Sequence, residues 1–226
     1  MDLYTALDLV VLGVPLALSF DRKVAFWKKW PRAAAAIAVV MAAFIPWDVW
    51  KTAHGVWGFN SRFAGEPRLA GLPPGEWLFF ACVPYACLFV LECVRAYFPD
   101  RPLGIPRGAP YAAGAVFAVL AVAMRGLVYT GTVLLSVGIA LAILERAVPA
   151  TVRSRNFWVA MGLTYVPFLA ANGILTGLPI VWYDEARILG WRVGSIPVED
   201  FFYSFSMLGL AAAVYDLAGA RRTAAK

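Results

Sequence analysis

Apolar residues gather in seven runs, at about 3–20, 33–49, 76–97, 110–125, 129–147, 157–182 and 199–219, with short polar stretches between them. A helix needs roughly 20 mostly apolar residues to cross a bilayer core of ~30 Å, and each run is at or near that length. Several runs are crowded with Ala and Gly, which let helices approach closely in lipid. The fourth run is the shortest. Pro15, Pro84 and Pro167 fall inside runs; membrane helices tolerate such prolines because neighbouring groups satisfy the freed backbone. The pattern predicts an all-α membrane protein of about seven transmembrane helices.

Composition supports this pattern. The 226 residues are 62% hydrophobic and 15% charged, with a mean hydropathy of +0.71. A soluble domain is nearer ~45–50% apolar and ~25% charged, so a soluble enzyme, a disordered chain, a disulfide scaffold and a large extramembrane domain are all excluded. The net charge of +6 invites a nucleic-acid partner, but the basic residues sit in short loops, where they act as a topology signal. Fourteen fall on one side (Arg22, Lys23, Lys28, Lys29, Arg32, Arg95, Arg101, Arg107, Arg146, Arg153, Arg155, Arg221, Arg222 and Lys226). Six fall on the other (Lys51, Arg62, Arg68, Arg125, Arg187 and Arg192). The bias predicts an integral protein of the cell (inner) membrane, with the N-terminus outside and the C-terminus cytoplasmic. Asp2 and Asp8 stand where a signal peptide would be basic. Cys82, Cys87 and Cys93 share one apolar run and His54 is the sole histidine, which speaks against a zinc site or disulfide framework.

The acids are distributed differently. Asp48, Glu66, Glu76, Asp184, Glu185, Glu199 and Asp200 all belong to the two regions after the second and sixth runs, on the less basic side. These regions look like copies. One reads Phe44-Ile-Pro-Trp-Asp48 and then Leu72-Pro-Pro-Gly-Glu76-Trp-Leu-Phe-Phe80. The other reads Ile180-Val-Trp-Tyr-Asp184 and then Ile196-Pro-Val-Glu-Asp200-Phe-Phe-Tyr203. The offset between copies is 124 at the Pro-x-x-acid motif and 136 at the aromatic-Asp motif. The repeat predicts three helices over 1–100, a linker helix over 101–128, and three helices over 129–226. An odd linker makes the copies parallel, and parallel repeats place a shared cavity at their interface.

Carboxylates at membrane depth are expensive and mark functional sites. Glu76, Glu199 and Asp200 also suit the first turn of a helix, where an acid complements the macrodipole, so each carries a structural reading beside the functional one. The neighbours are aromatic: Trp47, Trp57, Phe59, Trp77, Phe79, Phe80, Trp182, Tyr183, Trp191, Phe201, Phe202 and Tyr203. A carboxyl kept neutral by apolar surroundings can act as a general acid, and aromatic faces stabilise cations. Together these suit acid-initiated carbocation chemistry on an alkene. An interfacial aromatic belt accounts equally well for most of the rings. The chain has no dinucleotide fingerprint and no phosphate-binding loop, and its seventh run has no lysine for a retinal Schiff base.

Phe44-Ile-Pro-Trp-Asp-Val-Trp, Gly55-Val-Trp-Gly-Phe-Asn60, Glu76-Trp-Leu-Phe-Phe80 and Pro84-Tyr-Ala-Cys87 resemble the first repeat of the membrane-integral lycopene cyclases of the bacterial heterodimeric and fungal type. The stretch Asn172-Gly-Ile-Leu-Thr-Gly-Leu-Pro-Ile-Val-Trp-Tyr-Asp184 and then Gly194-Ser-Ile-Pro-Val-Glu-Asp-Phe-Phe-Tyr203 resembles the second. Both repeats are fused here in one chain. The resemblance implies cyclisation of the linear ends of lycopene, or a related acyclic carotenoid, usually to β-rings. A carboxylic acid protonates the terminal alkene, the neighbouring alkene attacks the cation, and a base removes a proton. The resemblance implies no cofactor, no metal, and work alongside other carotenoid-biosynthesis enzymes in the lipid bilayer. It points to Glu199 or Asp200 as the proton donor, with Glu76, Asp48 and Asp184 tuning it or taking the proton back. Trp47, Trp57, Phe59, Asn172, Trp182, Tyr183 and Phe202 are the substrate-binding candidates. One departure stands out: family first repeats commonly carry two acids after the proline, and here the first is Gly75.

The arrangement also resembles the intramembrane prenyltransferases of the UbiA type. Those hold magnesium with acids at four-residue spacing, and neither Asp48 nor Asp184 has an acid four residues on. A small three-plus-one-plus-three transporter is a weaker alternative: helices of that kind carry Pro-Gln pairs, and this sequence contains no glutamine.

Overall fold

The computed structural model describes residues 1–224, with side chains through Ala220. Arg221, Arg222 and Lys226, counted above among the tail cations, lie outside the described side chains. The helices are α1 (Leu3–Leu18), α2 (Trp30–Ala53), α3 (Pro74–Tyr97), α4 (Ala109–Ala123), α5 (Val128–Ala147), the short α6 (Pro149–Arg153), α7 (Arg155–Gly177) and α8 (Val198–Ala224). Four short strands join them: β1 (Trp57–Phe59), β2 (Val181–Tyr183), β3 (Arg192–Val193) and β4 (Ile196–Pro197). The protein is an all-α membrane protein. Among the described residues five helices, α2, α3, α5, α7 and α8, are long and apolar enough to cross a bilayer, while α1 and α4 are apolar but shorter.

Two boundaries differ from the sequence pattern. Helix α7 stops at Gly177 rather than running to residue 182, because Pro179 has no N–H to continue the ladder; the Leu175 carbonyl is taken by Ile180 N–H at 2.9 Å instead, and the chain then extends as β2. Helix α2 continues past Pro46 to Ala53, so Asp48 lies inside the helix rather than at its end.

The copies meet through their loops. Strand β1 pairs antiparallel with β2, with Trp57 opposite Tyr183, Gly58 opposite Trp182 and Phe59 opposite Val181. The bonds that close this ribbon are themselves paired: Asn60 N–H donates to Ile180 at 2.9 Å, and Asp184 N–H donates to Val56 at 2.9 Å. Each residue of the second set lies 124 positions after its counterpart, the offset of the Pro-x-x-acid motif. The same offset relates α2 to α7 and α3 to α8. The offset of 136 at the aromatic-Asp motif is therefore not the structural one. Asp48 corresponds to Asn172, and Asp184 corresponds to Asn60. Asn60 and Asp184 do the same job, each accepting the backbone N–H two residues on, from Arg62 and Ala186, at 3.0 Å.

Within the copies α1 packs on α3 and α5 on α8; between them α2 packs on α8 and α3 on α7. Helix α4 lies against α5. There Gly114 and Gly138 face each other so closely that a Cβ on Gly138 would sit 2.8 Å from the Gly114 carbonyl oxygen. At the far end of the bundle, Glu92 and Asp216 lie 16 residues beyond Glu76 and Asp200, about 24 Å along their helices. Arg95 bridges them, holding Asp216 through two bonds of 2.7 and 2.8 Å and Glu92 through one of 3.1 Å. Lys29 also pairs with Glu92. These acids fasten α3 to α8 on the basic side and are remote from the acids at the other end.

Gly138→Leu should separate α4 from α5 and lower stability by about 1–3 kcal/mol, the usual penalty for overpacking. Gly162→Leu, at a position with open space around it, should leave the detergent-solubilised unfolding temperature unchanged.

Candidate active site: a carboxyl-floored cavity between the repeats

Prolines set the first turns of α3 and α8. Pro73 and Pro74 lead α3 and Pro197 leads α8, so Glu76 and Asp200 occupy the same third helical position at offset 124. Each meets a tyrosine from the first helix of its own copy. Tyr4 donates to Glu76 at 2.7 Å and Tyr129 donates to Asp200 at 2.6 Å. Each also meets a polar residue from the second helix of its copy. Asp48 lies within hydrogen-bonding reach of Glu76, and Asn172 donates to Asp200 at 2.8 Å. Tyr183 adds a further bond to Asp200 at 2.8 Å. Two half-sites of the same plan thus face each other across the ribbon.

Gly75 follows from this packing. A Cβ there would lie 2.5 Å from the Tyr4 ring, so the position is reserved for glycine by the tyrosine that holds Glu76. In the second copy the equivalent residue is Glu199. It accepts from Thr130 at 2.5 Å and from the Leu189 backbone N–H at 2.7 Å, which ties the loop before α8 to α5.

Between the half-sites lies a cavity of about 530 Å³, within the ~300–1,000 Å³ typical of small-molecule sites. Its floor is drawn evenly from both copies: Glu76 and Asp200, Asp48 and Asn172, Phe59 and Tyr183, Phe79 and Tyr203, Tyr4 and Tyr129. Its outer walls come from α1 and α7, where Val10 and Val14 on one side and Ile174 on the other are exposed. The cavity therefore opens sideways, towards the lipid. At the matching positions between α5 and α2, Trp47 and Lys51 stand where α7 has Ala171 and Leu175. Lys51 is fully buried. It donates to Thr132, and its ammonium lies 4.5 Å from the ring centres of Trp47 and Tyr129, a cation–π arrangement.

A family model described as lycopene cyclase matches two segments of the chain, residues 1–94 and 126–218. The chain belongs to the lycopene cyclase family. No curated protein and no solved structure matches it. The two matched segments divide at the copy boundary of the lycopene cyclase fold: the first spans α1 to nearly all of α3, the second α5 to most of α8, and the unmatched stretch carries α4.

Of the residues expected from the sequence, the cavity gathers Asp48, Glu76, Asp200, Trp57, Phe59, Asn172 and Tyr183. The others stand elsewhere. Glu199 is buried behind the wall in the bonds just described. Asp184 sits in the loop after β2, partly exposed and paired with Arg187 at 3.3 Å. Trp182 covers the backbone of Gly58 from the outside and is 47% exposed. Trp47 backs the cavity-lining Tyr203, their rings 5.3 Å apart. Phe202 packs edge-on against Phe117 of α4. Tyr4, Tyr129, Lys51 and Asp8 carry no site role in the sequence reading, and Tyr203 stands there only among the surrounding aromatics. For Asp8 the signal was available, since it is an acid in the middle of an apolar run.

Asp184→Ala removes only an exposed pair, worth about 0–1 kcal/mol, and one turn-closing bond. Ring formation from lycopene should stay within about twofold of the parent when pigment is measured per unit of membrane-inserted protein.

Proposed function

We propose that this lycopene cyclase closes rings at the ends of lycopene, or a related acyclic carotenoid, by acid-initiated carbocation chemistry in the lateral cavity. The observation that carries the reading is a lipid-facing hydrocarbon cavity whose floor holds carboxyls and aromatic faces together. The substrate is a hydrocarbon that dissolves only in the bilayer, and the opening between α1 and α7 faces that solvent. The ψ-end enters, an acid protonates the terminal alkene, and the neighbouring alkene closes the ring. A base then removes a proton, so the reaction is an isomerisation.

The polar partners suggest how the work is divided. Asp200 accepts three hydrogen bonds, which is what an ionised carboxylate offers. Bonds to a charged group contribute about 1.5–3 kcal/mol each, so Tyr129, Asn172 and Tyr183 hold an anion on the cavity floor before any cation forms. Such a preorganised anion stabilises the developing cation and stands ready to take the ring proton. Asp48 and Glu76 bring two carboxyls into contact, an arrangement satisfied only when a proton lies between them, since two carboxylates are acceptors alone. The faces of Tyr203, Phe79 and Trp57 add cation–π stabilisation. Glu199, behind the wall, supports the loop before α8.

Expression in lycopene-accumulating cells, with pigment separated by chromatography, tests the reading; ringed products support it and unchanged lycopene refutes it. Asp200→Asn and Glu76→Gln should each lower ring formation by about 10²–10⁴-fold, the usual weight of acid–base groups, while Glu199→Gln should act mainly through protein yield. The basic-side bias supports an orientation with the N-terminus, the β1–β2 ribbon and the cavity floor towards the outer face of the cell membrane. A cysteine introduced at Arg62 should react with an impermeant thiol reagent in intact cells, and one introduced at Arg101 only after lysis.

A further inference from the structure

Asp8 has no part in the division of roles above, although it lines the same cavity. It lies one helical turn beyond Tyr4 on the same face of α1, about 6 Å deeper along the axis. It is 2% exposed, and among the described residues its Oδ2 has no hydrogen-bond partner. The charged groups whose field it feels are Glu76 and Asp2, both of them carboxyls. Asp200 has three donors and Glu76 has Tyr4; Asp48 Oδ2 is likewise without a hydrogen-bond partner, but Asp48 lies in the field of the Lys51 ammonium. Among the described residues Asp8 has neither donor nor counter-cation. An ion in such a place costs several kcal/mol, whereas the neutral acid does not. A hydrocarbon in the cavity also offers Asp8 no hydrogen bond, so nothing there competes for the proton of the neutral acid.

We propose that Asp8 is the proton donor that starts the cyclisation. The assignment rests on the lycopene cyclase reading of the cavity. The Asp8 O–H bond breaks and a C–H bond forms at the terminal alkene carbon, leaving a tertiary cation beside the new Asp8 carboxylate. The π pair of the neighbouring alkene forms the ring C–C bond and moves the cation into the ring. Asp200 takes a proton from the adjacent ring carbon, and that C–H pair becomes the ring double bond. Glu76 is within electrostatic range of both Asp200 and Asp8, so the captured proton returns to Asp8 through it. Nothing is oxidised or reduced.

The test compares Asp8→Asn and Asp8→Glu with the parent chain, in membranes, on lycopene and on its terminal 1,2-epoxide. An epoxide oxygen is far more basic than an alkene, so a weaker donor can start its cyclisation. Asp8→Asn removes a partnerless carboxyl and should insert and unfold like the parent. It should lower ring formation from lycopene by about 100-fold or more but from the epoxide by less than about tenfold, with Asp8→Glu recovering part of the loss on lycopene. Parental activity of Asp8→Asn on lycopene, or an equal fall on both substrates, overturns the assignment. If the parent chain itself forms no rings from lycopene, the reading of the whole cavity fails instead.

Discussion

The backbone bonds between β1 and β2 are the joint on which the rest depends. Two loops that would otherwise carry unpaired N–H and C=O groups beside the bilayer satisfy one another, and in doing so fix the register of one repeat against the other. Trp57, Phe59 and Tyr183 enter the cavity because they sit on this ribbon. Glu76 and Asp200 face each other because the helices they begin, α3 and α8, start from the loops that follow its two strands. The second tie, Arg95 between Glu92 and Asp216, lies at the other end of the same two helices. The pair of helices is clamped at both ends, and the space beside α3 and α8 is free to be a site.

The duplication makes the floor, and departures from it make the function. The floor repeats nearly residue for residue at offset 124, while the flanks do not. Ala171 and Leu175 leave room on one flank; Trp47 and Lys51 fill the other. Tyr4 requires glycine at 75, whereas Thr130 and the Leu189 backbone accept a carboxylate at 199. Asp48 answers Asn172, so one carboxyl of the floor meets a second carboxyl and the other meets an amide. A symmetric ancestor would carry two equivalent half-sites. In this chain the two half-sites are unequal, one carboxyl meeting a second carboxyl and the other an amide and two tyrosines, an inequality on which the proposed acid-then-base reaction rests.

The sequence by itself determined that the chain lives in lipid, that it is helical and that it is duplicated, because apolar run length and repeated motifs are local properties. It also carried the Pro-x-x-acid motif, since a proline and a first-turn acid are placed by their own helix. It did not determine which acids converge. Asp48 and Asp184 look alike as aromatic-Asp pairs, yet one lies inside α2 on the cavity and the other in a loop beside Arg187, a difference set by where Pro179 ends α7 and Pro46 does not end α2. Glu199 and Asp200 are adjacent in the chain but point 100° apart on a helix, and only the packing of α5 and α7 around α8 decides that Asp200 faces the cavity. Tyr4, Tyr129 and Asp8 come from helices more than 60 residues away from the acids they serve or adjoin, and contacts of that separation are made by tertiary packing alone.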